Sequence, residues 1–387
     1  MDLRETAEQV RFRAELRAWL SARLPAAADG PAPVGGWTGP ATRAWLAELH
    51  GAGYAGLTWP ARYGGRGLPI SFQAIYLEEA ARVGAGEHGG VIGLGMVGPT
   101  IIAVGTAGQK ARYLPGILSG QVLFCQGFSE PEAGSDLAAV RTQATLDGDA
   151  FVVTGHKVWS SYAHLADRCL LLARTGPADS RHRGLTCLLV DLRAPGVTVR
   201  PLRRLPGDAD FGEIVLDEVR VPRGDVLGTV GAGWSVAMTT LAHERGTFGF
   251  ALTARLESQL RRLVATAHAA GRAGDPLLRD RIASVYVDLL ALRWTSRRAL
   301  SRLGACEAPR PESSIVKLRW SQANQRLTAL ALEVLGPDAA LDGDAAYWSG
   351  FWQYHQLRSR ANSLEGGTSE ILRDVLAERV LALPRAR

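Results

Sequence analysis

Cysteine is scarce in this chain. The four present, Cys125, Cys169, Cys187 and Cys306, stand far apart, with no Cys-x-x-Cys pair and no histidine cluster beside them. That spacing argues against a zinc site and for reduced thiols, and it predicts a cytoplasmic setting. Runs of one charge are missing as well. The formal net charge of +6 is carried almost wholly by scattered arginine, the pattern of a solvated, ion-paired surface, so no nucleic-acid partner is expected. The start, MDLRETAEQV, is charged and amphipathic, which excludes a secretory signal there. Residues 89–109 carry no charge over nearly membrane-spanning length, but Pro99 and many glycines predict buried, broken helices instead, and no membrane partner. Within that stretch Gly93-Leu94-Gly95-Met96-Val97-Gly98 fits the glycine pattern of a dinucleotide site. No strand reads before it and no acid stands at the required distance after it, which excludes that site.

What is present is a three-part pattern. The 387 residues suffice for two or three cores, and 47% hydrophobic with 21% charged is ordinary for a globular protein. Leu3, Ala7, Val10, Leu16, Trp19, Leu20 and Leu24 recur at helical spacing, and a Gly/Pro-rich linker follows over about 25–40. Further helices are predicted over 42–52, 72–83, 89–104 and 109–118, giving an N-terminal helical domain, 1–119. The period then switches to two. Short apolar runs over 169–174, 185–192, 197–202 and 213–216 predict a β-domain, 120–226, closed by Val221-Pro222. From 227 to 387 the pattern is helical again (231–270, 279–303, 311–335, 345–357, 368–381) and predicts a C-terminal four-helix bundle. The expected fold class is therefore multidomain α+β.

The stretch 124–161 organises the rest. FCQGFSEPEAGSD places Ser129, Pro131, Gly134, Ser135 and Asp136 in a tight polar loop. Asp147-Gly148-Asp149 between alternating segments predicts a hairpin, and its second arm ends in Trp159, Ser160 and Ser161. Hydroxyls and free N–H groups beside an aromatic suit a planar heterocycle with many acceptors. An edge hairpin of an ordinary β-domain would read the same way by composition.

The run resembles the central signature of the acyl-CoA dehydrogenase family, a Ser/Thr-Glu-Pro-Gly-Ala-Gly-Ser-Asp loop followed by Lys-x-Trp and hydroxyl residues. The likeness continues in Trp59-Pro60 with Tyr63-Gly64-Gly65, in Gly105-Thr106 with Gln109-Lys110 and Tyr113-Leu114-Pro115, and in Gly366-Gly367-Thr368-Ser369-Glu370-Ile371 with Arg373. It covers nearly the whole chain. It implies FAD lying between the β-domain and the bundle, with subunits pairing through the C-terminal helices as a homodimer or homotetramer, or in a heteromer. By resemblance, Gln126, Phe128 and Ser129 run along the isoalloxazine edge. Trp159, Ser160 and Ser161 cover its other side, and Ser135 touches the pyrophosphate or the thioester arm. Thr368 and Glu370 open the last helix, whose free N–H groups suit a phosphate or ribose oxygen; helix capping is the plainer role for Thr368. Glu132 stands where many members have glycine. Glu333-Val334-Leu335-Gly336-Pro337 replaces the Gln-x-x-Gly-Gly adenosine motif, so no residue carries over there.

Dehydrogenation of an acyl thioester needs a base for the α-proton. In many relatives it is the Glu of Glu-Gly-Thr, and here that position is Gly366, with Glu365 one residue early. Other relatives carry the base in a Leu-x-x-Glu-Arg stretch of the long helix, and this chain has Leu241-Ala242-His243-Glu244-Arg245. The residues agree: Trp234, Val236, Ala237, Leu241, Phe248, Ala251 and Leu252 mark a helical stripe, with Glu244 between Leu241 and Phe248. A carboxylate there is costly unless paired or used, so Glu244 is either the base or an arginine's partner within the bundle. Glu365 is the alternative base. The backbone N–H of Gly366 matches the donor that polarises the thioester carbonyl in relatives.

The resemblance implies a dehydrogenase acting on an acyl-CoA or acyl-carrier-protein thioester, with an electron-transfer flavoprotein as acceptor. The competing expectations are a flavin monooxygenase or oxidase on the same fold, and a catalytically silent subunit of a heteromeric dehydrogenase.

Overall fold

A computed structural model describes residues 4–24, 38–85, 88–304 and 313–384, with the side chains of 244–248, 303–304 and 313 outside the description. Cys306 and most of the expected linker therefore lie outside the described residues. By packing, the chain forms two compact units, each discontinuous in sequence. One comprises 1–34, 69–87 and 245–387, and the other 35–68 and 88–244. The three consecutive segments read from the sequence follow the change in periodicity, whereas this division follows contact.

The second unit holds helices α2 (Gly39–Gly51), α4 (Gly98–Val104) and α5 (Ala107–Ser119) and all eight described strands. The strands are β1 (Phe124–Gly127), β2 (Gln143–Asp147), β3 (Ala150–Ser161), β4 (Arg168–Arg174), β5 (Leu185–Asp191), β6 (Val197–Leu202), β7 (Phe211–Pro222) and β8 (Val226–Leu227). Their order is β6-β7-β3-β2-β4-β5-β8, with β1 running parallel to β4. The predicted hairpin is there: Asp147 pairs with Ala150, and Gly148 has φ 61°, the conformation a two-residue hairpin turn asks of its first residue. Strand β7 is far longer than the expected 213–216. Its outer half pairs with the start of β3, where exposed residues hide the apolar pattern.

The uncharged stretch is helical and broken, as read. Gly93–Val97 form a π-helical turn running directly into α4, and Pro99, five residues after Leu94, has no N–H to offer the Leu94 carbonyl. Buried Trp59 donates from Nε1 to the Leu94 carbonyl at 3.3 Å, and its ring lies where a Cβ on Gly98 would be 2.2 Å away. The Trp59 loop thus packs and satisfies that turn. Helix α5 opens with a Thr106–Gln109 capping box, and the Gln109 amide donates to the carbonyls of Gly224 (2.9 Å) and Val226 (2.8 Å). Tyr113 donates to Asp225 at 2.8 Å. These signature residues tie a helix to the sheet's end.

The first unit holds α1 (Ala7–Arg23), α3 (Ile70–Arg82), the larger part of α6 (Gly233–Ala269), α7 (Pro276–Gly304), α8 (Ser313–Leu335), α9 (Phe351–Ser359) and α10 (Ser369–Arg379). Leu256, Leu263, Leu289, Leu292, Leu327, Leu330 and Trp352 form its core. Buried Glu79 on α3 is met by Arg13, Arg17 and Arg82. The helix expected over 345–357 is a correction: it begins only at Phe351. Trp348 and Ser349 are left-handed (φ 51° each), and Gly350 at φ 79° closes the kink. Among the described residues, three long helices and two short ones make the C-terminal part, rather than four long ones.

Candidate active site

The signature stretch folds as one piece because a lysine is buried under it. Lys157, on β3, is fully buried; its Nζ donates to the Glu130 carboxylate at 2.7 Å and to the Phe128 carbonyl at 3.1 Å. Glu130 also accepts the N–H groups of Arg141 (2.6 Å) and Thr142 (2.8 Å). Burial lowers the Lys157 pKa, opposed by the Glu130 charge. Burial alone would raise Glu130, but the Lys157 charge and the N–H donors hold it below the usual carboxylate range. Glu130 and Ala133 exchange backbone hydrogen bonds across Pro131-Glu132, and Val158 N–H donates to the Ser129 carbonyl at 2.9 Å. The loop and the end of β3 are thus a single rigid edge.

On that edge β3 bulges. Lys157 pairs with Ile214 and Ser160 with Gly212, so two residues of β3 oppose one of β7. Trp159 sits in the bulge at φ 58°, a region where a bulky residue is an outlier, and it is 58% exposed. Its ring meets Phe211 edge to face at 6.0 Å. A bulge re-aims a side chain, and strain of this kind persists only where the surroundings impose it. Next to it, the buried Ser160 Oγ has no hydrogen-bond partner among the described residues. Gln126, Ser129 and Ser161 are half-buried on the same unit, Phe128 is buried, and Ser135 is exposed on the loop. Glu132, the departure from the family loop, turns to Arg141 at 2.6 Å on the exposed surface.

Buried Arg174, on β4, braces this loop from below. It donates to the Ala138 carbonyl at 2.7 Å and to the Val140 carbonyl at 3.0 Å, and also reaches Ser180. Arg181 in turn pairs with Asp136 at 2.7 Å.

Glu365, Gly366, Thr368 and Glu370 belong to the other unit, whereas position 244 is the last residue of the sheet-bearing one. The Thr368 hydroxyl accepts the Ile371 N–H at 3.2 Å, capping α10, and Glu370 is exposed in its first turn beside Arg373. Gly366 and Gly367 both have positive φ, 60° and 94°. The Glu365 carboxylate is gripped by Arg358 through both oxygens (3.1 and 2.8 Å) and by Asn362 at 2.9 Å. Burial would raise its pKa, but the Arg358 charge outweighs this and holds it below the usual range. Position 244 lies on α6 one turn beyond Thr240, whose buried hydroxyl is 3.1 Å from that of Thr100. The Glu244 side chain lies outside the described residues.

Three family models match in order: the acyl-CoA dehydrogenase N-terminal domain over 6–121, the middle domain over 125–219 and the C-terminal domain over 231–381. The chain belongs to the acyl-CoA dehydrogenase family. It is 40% identical over 383 residues to acyl-CoA dehydrogenase IpdE1 of Mycobacterium tuberculosis, covering 97% of each chain. Among solved structures it is similar to the "Tcur3481-Tcur3483 steroid ACAD", with TM-score 0.91, 32% identity and 100% of each chain covered. It is also similar to the ChsE4-ChsE5 complex of M. tuberculosis, with TM-score 0.87, 30% identity and 100% of each chain covered. As a member of this acyl-CoA dehydrogenase family it is a flavin oxidoreductase with an N-terminal helical domain, a middle β-sheet domain and a C-terminal helical domain. No helix among the described residues is long and apolar enough to cross a membrane.

The family generally binds FAD, and the residues present fit such a group. An indole held out by a strained bulge offers an apolar face, and the unpartnered Ser160 hydroxyl beside it is an orphan that a polar ring edge would satisfy. Sequence reasoning missed Lys157, Glu130 and Arg174 as the residues that build this edge. The available signal was Lys157 itself, an ammonium two residues before Trp159 within β3.

Proposed function

We propose that this chain catalyses α,β-dehydrogenation of an acyl thioester, with FAD as its cofactor and Glu244 as the base. The observation that carries the reading is the Trp159 bulge locked to the signature loop by buried Lys157, in a chain that three family models match in order between residues 6 and 381. Bound FAD supplies an acceptor for the β-hydride. Trp159 would lie on the ring, with Gln126, Phe128, Ser129, Ser160 and Ser161 along it, and Ser135, Thr368 and Glu370 near its phosphates or the substrate arm. At α10 the N–H groups serve an anion; the Glu370 carboxylate itself would oppose one. Glu244 would take the α-proton, and the Gly366 N–H would donate to the thioester carbonyl as negative charge builds on its oxygen. Glu365 suits the base role poorly, because its carboxylate is already occupied by Arg358 and Asn362.

The relatives named acyl-CoA dehydrogenase support coenzyme A over an acyl-carrier protein as carrier. The "steroid ACAD" likeness supports a bulky polycyclic acyl group. Both similar structures are named for two proteins, which supports a heteromer over a homodimer or homotetramer. An electron-transfer flavoprotein is the acceptor proposed, and the cytoplasm the setting. The test is anaerobic addition of acyl-CoA thioesters, steroid-derived ones included, to the purified flavoprotein. Bleaching of the visible flavin absorption supports the reading. Absence of bleaching with oxygen-dependent turnover would assign an oxidase or monooxygenase, and purification without flavin in any assembly would assign a silent subunit.

A further inference from the structure

The Gly366–Gly367 turn is held from two sides by side chains that the reaction, as read above, does not use. Two successive residues at positive φ are open to glycine but expensive in entropy, since glycine loses more freedom on ordering than any other residue. Such a turn keeps one conformation only if its surroundings impose it. On its C-terminal side the Lys317 ammonium, from α8, donates to the Gly367 carbonyl at 2.7 Å. On its N-terminal side Glu365 is fixed by both arms of Arg358, from α9, and by Asn362. Asn362 is buried and itself held by α8: Ser321 donates to its carbonyl at 2.6 Å, and Asn324 Nδ2 to its side-chain oxygen at 2.8 Å. A continuous polar network from one helix thus grips both ends of a two-glycine turn. Networks of this kind rigidify when their members are satisfied.

We propose that Lys317 and Arg358 are positioning residues for the dehydrogenation, fixing through Gly367 and Glu365 the turn whose Gly366 N–H polarises the thioester carbonyl. This rests on the functional reading above. Glu365, one residue early for a base, is the turn's anchor. A preorganised donor needs no reorganisation as charge develops, whereas a turn free to move by an ångström forfeits much of its effect.

The test uses the full-length flavoprotein with Lys317→Met, Lys317→Arg and Glu365→Gln. Amide hydrogen exchange over 364–370, without thioester, is expected to quicken about tenfold or more in Lys317→Met and to recover in Lys317→Arg. Anaerobic flavin reduction is expected to slow roughly tenfold to a hundredfold in Lys317→Met, with thioester affinity changed far less. The long-wavelength band formed with a thioester analogue that yields its α-proton but cannot release a β-hydride should weaken in parallel. Unchanged exchange, or faster exchange with unchanged reduction, overturns the proposal. Should Lys317→Met fail to fold, Glu365→Gln decides: faster exchange with reduction slowed about tenfold supports the anchor. Abolished reduction with unchanged exchange makes Glu365 the base and overturns it. Wild-type flavoprotein that no thioester reduces overturns the functional reading, and the proposal with it.

Discussion

The Lys157 ammonium lies 2.7 Å from the Glu130 carboxylate with neither group facing water. Removing one partner strands the other charge in the core, which typically costs about 3–5 kcal/mol, whereas removing both can be far milder. Lys157→Met is therefore expected to lower unfolding free energy by about that amount and to empty the protein of flavin. The Lys157→Met/Glu130→Gln double variant should be less destabilised than the sum of the single ones. Denaturant unfolding of the four proteins checks this, and strict additivity would mean the pair is not coupled.

Trp159 trades stability for position. A non-glycine residue at φ 58° costs on the order of 1–3 kcal/mol, and the exposed ring recovers little of it by burial beyond its edge contact with Phe211. In Trp159→Gly the strain goes and the contact goes. The flavin-free protein should stay within about 1 kcal/mol of wild type or gain slightly. Flavin retention should fall about tenfold or more. Flavin affinity by fluorescence beside thermal unfolding of the apoprotein separates the two effects; a large loss of apoprotein stability would make Trp159 a packing residue instead.

His88 sets an acid limit on the fold. Burial pulls its pKa from 6.5 down to about 4, and its Nδ1 accepts the Gly90 N–H at 3.2 Å in the neutral form. The unfolded chain takes up the proton near pH 6.5 while the folded one does not, so stability is whole above that pH and falls as pH drops towards 4. The loss integrates to about 3 kcal/mol at roughly 1.4 kcal/mol per pH unit. In His88→Gln the unfolding free energy should flatten between pH 6.5 and 4, whatever its offset at pH 7. An acid limb of unchanged slope would show that His88 titrates normally.

What the sequence made legible was whatever is encoded locally. Asp147-Gly148-Asp149 announces its hairpin because the turn's positive φ must fall on glycine. Thr106 and Gln109 stand out in the sequence only as part of the family pattern, and the structure shows them as a capping box. The Trp159 bulge could not be read in the same way. It is a count of two residues against one on β7, and the register of a partner some fifty residues away is not written in β3. Lys157 is hidden for a related reason: lysine reads as surface until its partner is known, and Glu130 arrives only through the folded loop. The expected helix over 345–357 failed because Tyr347 and Trp348 continue the apolar pattern, while Trp348 and Ser349 adopt the left-handed conformation that no composition rule assigns them. Glu365 was legible as an offset from the base position. Its engagement by Arg358 and Asn362 needed α9 in place.

That engagement gives the two candidate bases opposite signatures. A general base must be free to accept a proton, and its loss typically costs a factor of about a hundred to ten thousand. Glu365 spends both oxygens on Arg358, and its pKa is held low, so it stays ionised and paired through the neutral range. Glu244, one turn beyond Thr240 on α6, carries the proposed role. Glu244→Gln should keep flavin binding and the wild-type visible spectrum while slowing anaerobic reduction by about a thousandfold. Because the active base is the deprotonated form, wild-type reduction should rise with pH through the base's titration, and that limb should vanish in Glu244→Gln. Stopped-flow reduction across pH reads both. Equal rates for Glu244→Gln and wild type would remove the proton abstraction from α6 and return it to the turn before α10.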